Sequence, residues 1–253
     1  MRSPQGLCAT PRYRSTMPSS LHRRLLDDLG SSIVAGRLAR GEVVLAGELA
    51  QRYDVSLSVV REVIRALQAN GLVESVKRLG VRVLSADRWN VYSADVIRWR
   101  LDGPDRAVQL RSLTELRTAV EPLAADLAAR HAPASVREEL MTIAARMREL
   151  GRAGDLEGFL DLDIAFHALV LRGSGNEMLA ALDGAVAAVL RGRTEHGLMP
   201  AHPHEEALQW HVDVADGVQA GRPARAAAAM RAILGRTTDE VSSIWDGAER
   251  APR

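Results

Sequence analysis

The sequence predicts a mainly α-helical protein in two parts: a small N-terminal unit of helices with two short strands, then an antiparallel all-helical bundle. Three observations predict it. Beyond residue 104, apolar residues recur at helical spacing in one segment after another, with no Val/Ile/Thr alternation and no internal repeat. Aromatic residues make up only 4% of the chain while Ala, Leu, Val and Arg dominate, which favours helix over sheet. Charge divides the same way. Residues 1–86 hold 13 Lys+Arg against 7 Asp+Glu, and the remainder holds 20 against 25. A basic front half on an acidic back half suits a nucleic-acid module joined to something else.

With 253 residues the chain can bury a substantial core, and two domains are expected. Residues 1–20 read as a disordered leader: three arginines, no acid, and no apolar run of the kind a signal peptide needs. The single Cys8 excludes a disulfide framework or a cysteine-rich zinc site within one chain. No apolar run approaches the ~20 residues that span a bilayer, so a cytoplasmic protein without membrane contact is expected.

Residues 21–86 form the first domain. Leu25, Leu26, Leu29, Ile33 and Val34 give one helix its buried side. Leu49, Ala50 and Tyr53 do so for a second, which Asp54-Val55-Ser56 ends. Ser56 can cap a third helix, in which Val60, Val63, Ile64 and Leu67 recur at i, i+3, i+4 and i+7. Asn70-Gly71 stops that helix. Leu72–Val76 and Val81–Val83 are strand candidates around a basic turn, Lys77-Arg78-Leu79-Gly80. This is the pattern of a winged helix-turn-helix. The exposed face with Leu57, Ser58, Arg61 and Arg65 is free to enter a major groove, and the wing to touch phosphate or minor groove.

Residues 87–104 read as a linker in which Trp89, Tyr92, Val96, Ile97 and Trp99 pack one domain against the other. Residues 105–247 form the bundle, and 248–253 a tail. Leu113, Leu116, Val120, Leu123 and Leu127 make the first stripe, with Pro122 expected to kink its helix. Val136, Leu140, Ile143 and Met147 make the second. Four further helices are expected over Leu156–Leu171, Met178–Leu190, Glu205–Gln219 and Ala224–Ile244.

Polar residues interrupt these stripes. Asp163 and His167 share the face of Leu160, Ile164 and Leu171, and His211 shares that of Leu208, Ala215 and Val218. Buried, these groups need partners. Either Asp163 and His167 bond each other while His211 meets a carbonyl, or the three bind a divalent metal such as zinc. Arg117 and Glu121, one turn apart, are a surface pair or an arginine turned inward to hold a carboxylate ligand. His196, His202 and His204 fall in a Pro-rich loop, where His202 and His204 could border a cavity mouth. Gly-rich phosphate loops, Gly-x-Ser-x-Gly and His-Glu-x-x-His are absent.

Both halves resemble one family. Glu48-Leu49-Ala50, Val55-Ser56, Val60-Arg61-Glu62, Leu67, Gly71-Leu72-Val73 and Gly80 match the GntR-type winged helix-turn-helix. Leu116-Arg117, Glu121-Pro122, Ala124-Ala125, Asp163, Phe166-His167 and His211 match the FadR-type (FCD) effector domain. Trp89-Asn90, Asp95-Val96, Trp99 and Val120-Glu121-Pro122 are similar to the galactonate and sugar-acid-responsive repressors. The resemblance implies a dimeric regulator, no enzyme, that binds a palindromic DNA operator and releases it when a small carboxylate enters the bundle.

The resemblance also implies a divalent metal held by one Asp and three His. Asp163, His167 and His211 match three of those positions, and the fourth falls on Ile233, which cannot ligate. Arginines common in the family are replaced here by Gly47 and Leu57. Operator contact is then expected from Ser56, Leu57, Ser58, Arg61, Arg65, Lys77, Arg78 and Gly80. Effector contact is expected from Arg117, Glu121, Asp163, His167, His211 and Thr237, and Arg117→Ala should spare DNA binding while abolishing the response. The alternative is a metal-dependent enzyme acting on a hydroxy acid through Asp163, His167 and His211, with Glu121 as its base.

Overall fold

The computed structural model of the chain describes residues 19–200, 202–247 and 250. The expected leader therefore lies almost wholly outside the described residues, as does most of the tail. Helix α1 (Ser19–Val34) buries Leu25, Leu26, Leu29, Ile33 and Val34. A two-residue strand β1 (Val43–Val44), too short to leave a pattern, precedes α2 (Ala46–Tyr53) and α3 (Leu57–Ala69). Ser56 caps α3 by accepting from the Val59 N–H, and Gly71, at φ +72°, turns the chain out of it. Val60, Val63, Ile64 and Leu67 are the residues α3 buries.

Strands β2 (Val73–Val76) and β3 (Gly80–Val83) form the antiparallel wing, with Val76 opposite Gly80, and β1 joins on the far side of β3. Gln68 donates to the Ser75 hydroxyl at 3.0 Å, fixing the wing to α3.

Helix α4 (Ala94–Leu101) belongs to both cores. Val96 and Trp99 complete the core of the first domain, whereas Ile97 and Leu101 pack into a cluster with Leu110, Val189 and Val241. Each contact is shaped by a glycine. A Cβ on Gly30 of α1 would lie 2.5 Å from the Trp99 ring. Trp99 also donates its indole N–H to Asp27 at 3.1 Å, and Arg98 pairs with the same carboxylate. Tyr92, expected to pack between the domains, is exposed instead.

The bundle comprises α5 (Arg106–His131), α6 (Ala134–Ala153), α7 (Leu156–Gly173), the short α8 (Glu177–Ala180), α9 (Asp183–Glu195), α10 (Glu205–Gln219) and α11 (Pro223–Trp245). The segment read as one helix over 178–190 is thus two, α8 and α9. On α9, a Cβ on Gly192 would lie 2.6 Å from Leu101, so α4 fits a second notch there.

Helix α5 continues through the buried Pro122. The expected leucine stripe holds only in part: Leu113 is buried and Val120 and Leu127 pack against the core, but Leu123 is 52% exposed, and Arg117, Glu121, Ala124, Ala125 and Ala128 face inward instead. Alanines let α5 approach α11 and α7 closely, and this close approach encloses the charged pair. No helix among the described residues is long and apolar enough to cross a membrane.

Candidate operator face and effector site

The first surface is the exposed side of α3 with the wing. Leu57 is 46% exposed, and Ser58, Arg61 and Arg65 are exposed beside it. Ser56 and Ser58 share a hydroxyl contact of 2.7 Å. Lys77 and Arg78 are exposed at the wing tip, where Arg78 adopts φ +64° and Gly80 φ +117°. Among the described residues Arg61, Arg65, Lys77 and Arg78 form no ion pair, whereas Arg82 is tied to Glu74 at 2.5 Å. Four cations without carboxylate partners on one face are available to phosphates and base edges.

Arg61 lies at the centre of the exposed α3 face. Arg61→Ala is expected to weaken specific operator binding by about 1–3 kcal/mol if it reads a guanine. A binding isotherm at fixed salt checks this. Equal weakening on operator and random DNA would leave Arg61 a phosphate contact only.

The second site lies inside the bundle, where α5, α7, α9, α10 and α11 converge around a cavity of about 40 Å³. From α7 come Asp163 and His167, from α10 His211, from α5 Arg117, and from α11 Ile233 and Thr237. The ligating atoms of Asp163, His167 and His211 lie within 4.8 Å of one another, and all three residues are buried. Asp163 Oδ1 is 3.4 Å from His167 Nε2 and 3.2 Å from His211 Nε2.

The outward nitrogens define what the inward ones can do. His211 Nδ1 lies 2.7 Å from the Ala207 carbonyl, which only accepts, so Nδ1 carries the proton and Nε2 presents a lone pair. His167 Nδ1 lies 2.6 Å from Glu121 Oε2. His211 is thus held from behind by a carbonyl, and His167 has the Glu121 carboxylate close to Nδ1, with Nε2 of each ring in front. His211 Nε2 is buried with no hydrogen-bond partner. The donor set fits a divalent cation, and Ile233, only 6% exposed, lines the same cavity without offering a ligand atom.

Electrostatics follow from burial. Burial alone would raise Glu121, but Arg117, bonded at 2.5 Å, and His167 override it and hold this carboxylate well below its usual range. Asp163 is likewise lowered against burial by the His167 and His211 imidazoles beside it. His167 is raised because Glu121 and Asp163 outweigh its desolvation.

Glu121 itself does not line the cavity: it sits behind Arg117 and His167. Expected as an effector contact, Glu121 stands one layer back from the lining, against Arg117 and His167. Thr237 lines the wall and accepts from Arg193 at 3.4 Å. Of the loop histidines, His204 borders the cavity, His202 packs on Gly154, and His196 faces Asp102 at 3.1 Å. Sequence reasoning missed Arg193, which is 4% exposed yet looked like any helix-surface arginine. Its only advance signal was its place on a segment carrying Val186, Val189 and Leu190 inward.

Comparison with known proteins places each half of the chain in a family. Residues 21–83 match the gntR family of bacterial regulatory proteins, and residues 112–236 match the FCD domain. The galactonate operon transcriptional repressor of Escherichia coli (strain K12) is 30% identical over 199 residues, covering 78% of this chain and 86% of that one. A probable D-xylose utilization operon transcriptional repressor of Paenarthrobacter nicotinovorans is 28% identical, covering 83% of this chain and 82% of that one. The E. coli McbR/YncC structure has the same fold at a TM-score of 0.52 and 17% identity, covering 88% of this chain and 98% of that one. The chain belongs to the GntR family of bacterial regulatory proteins: it is a transcription regulator, not an enzyme, with a DNA-binding winged helix-turn-helix joined to an FCD effector domain.

Proposed function

We propose that the protein is a homodimeric repressor that holds a palindromic operator and releases it when a sugar acid enters the FCD cavity. The observation that carries this reading is the buried Asp163/His167/His211 cluster with Arg117 beside it, joined through one helix to an unpaired cationic DNA face. The galactonate repressor's likeness supports an acid of that size. Leu123 and Tyr92, 52% and 57% exposed, support a partner subunit on the outer side of the bundle. Two recognition helices would then meet successive major-groove faces about 34–36 Å apart.

Asp163 Oδ1, His167 Nε2 and His211 Nε2 would hold a divalent cation, of which zinc suits the mixed nitrogen and oxygen set. Bound there, the cation supplies positive charge for a carboxylate and a neighbouring hydroxyl. The chain's own residues do the rest. Glu121 and the Ala207 carbonyl orient the imidazoles, Arg117 offers an N–H donor, and Phe159 and Ile233 keep water out.

A space of about 40 Å³ admits a cation with a water or two, not a six-carbon acid. Binding must therefore displace the wall, and Met199, Pro200, Pro203 and His204 form the part built from a loop. An effector that prefers the displaced wall shifts the population towards it, and operator affinity changes through α4.

Fluorescence anisotropy with DNA from upstream of the protein's own gene tests this. Galactonate with zinc is expected to lower operator affinity by roughly 5- to 150-fold, and a chelator to restore it. His211→Ala should stay on the DNA in both. A release that ignores chelator and His211→Ala would remove the cluster from the mechanism.

A further inference from the structure

Two guanidinium groups face the cavity with donors left over. Arg117 is 2% exposed and its Nη1 has no hydrogen-bond partner. Arg193 is 4% exposed and its Nε has none. Buried N–H groups on a charged side chain are costly to leave unpaired, so their persistence in a cavity wall points to something that completes them.

The charge count at the Arg193 end points the same way. Arg117 is paired with Glu121, which His167 also faces. Arg193 and Arg236, in contrast, share a single carboxylate: Glu240 Oε2 lies 3.0 Å from Arg193 Nη2, and Glu240 Oε1 lies 3.1 Å from Arg236 Nε. One positive charge is in surplus there. Burial and the nearby Arg117 guanidinium together push Arg193 below the ordinary arginine value, and the attraction of Glu240 and Asp163 does not make this good. The surplus belongs to α9 and α11: Asp163 lines the same cavity and attracts Arg193 without an ion pair to it among the described residues, and the Arg193 Nε donor stays unfilled.

We infer that Arg193 is an effector-binding residue that receives a second anionic group, so that this site takes a sugar acid carrying an acid function at both ends. This rests on the sugar-acid reading above and sharpens it. One end lies at Asp163, His167 and His211 with the free Arg117 donor beside it. The other lies against Arg193 Nε, with the Thr237 hydroxyl, already on Arg193 Nη1 at 3.4 Å, as a neighbour. A monoanionic acid satisfies the first end only, leaving the Arg193 Nε donor unmatched.

The test is a matched pair of probes on the full-length protein with zinc present: galactonate, with one carboxylate, and galactarate, with the same carbon skeleton and two. Isothermal titration should show galactarate binding more tightly. Arg193→Gln should weaken galactarate by roughly ten- to a hundredfold, the loss of a charge-assisted contact, and galactonate by far less. Glu240 keeps Arg236 as partner in that variant, and the wild-type comparison needs no variant at all. Tighter binding of galactonate, or equal weakening of both acids by Arg193→Gln, overturns the second acid end while leaving the sugar-acid reading standing. Binding of neither acid overturns both.

Discussion

Arg117→Ala is expected to lower stability by about 3–5 kcal/mol, because it strands Glu121, 1% exposed, without its guanidinium partner. For a chain of this length that is on the order of a 10 °C fall in melting temperature. The sequence alone suggested a milder result, a folded protein deaf to its effector. Burial changes that expectation, since the residue is as much a structural counter-ion as a ligand. The pair should behave as a unit. Arg117→Met with Glu121→Leu, which removes both charges and keeps the volume, should recover much of the loss, as replaced buried pairs commonly do. Calorimetry on the two single variants and the double closes the cycle. A fall below about 1 kcal/mol for Arg117→Ala would mean that the pair behaves as an exposed one.

Trp99→Ala is expected to cost about 3–5 kcal/mol through the cavity left by an indole that is 1% exposed. It also removes the N–H that Asp27 accepts at 3.1 Å. Its effect should differ in kind from that of Arg117→Ala. Trp99 is the part of α4 that engages the first domain, whereas Leu101 engages the bundle. Calorimetry should therefore show two transitions where the parent shows one, with the DNA-binding domain melting first. Effector binding by titration should survive while its effect on operator affinity shrinks. One transition at a lower temperature, with release undiminished, would show that the domains communicate by another route.

The first domain was legible in the sequence almost residue by residue. The α3 spacing, the Ser56 cap, the Asn70-Gly71 stop and the wing each follow from a strong local rule, and each places one face in a core. The bundle's helices were legible too, but not which way α5 faces. Periodicity finds leucines, and here the tightest packing is built from Ala124, Ala125, Ala128 and Ala129, whose small side chains carry little signal. The charges beside them, Arg117 and Glu121, are residues that a hydrophobic pattern assigns outward. Arg193 was illegible for the same reason. Arg193 is met in the core by a carboxylate of another helix, and Glu240 lies 47 residues away. Asp163, His167 and His211 could be found because each interrupts an apolar stripe.

The two notches around α4 bear on how such a protein can be taken apart. Trp99 needs a residue without a Cβ at position 30, and Leu101 needs the same at position 192. A foreign reader head fused ahead of α4 would present an ordinary helix to Trp99, and a single methyl there collides with the ring. A working chimera must either carry α1 along with the bundle or choose a donor whose first helix has a glycine facing that indole. The usable seam therefore runs between α1 and the rest of the reader, and not along the linker where composition changes.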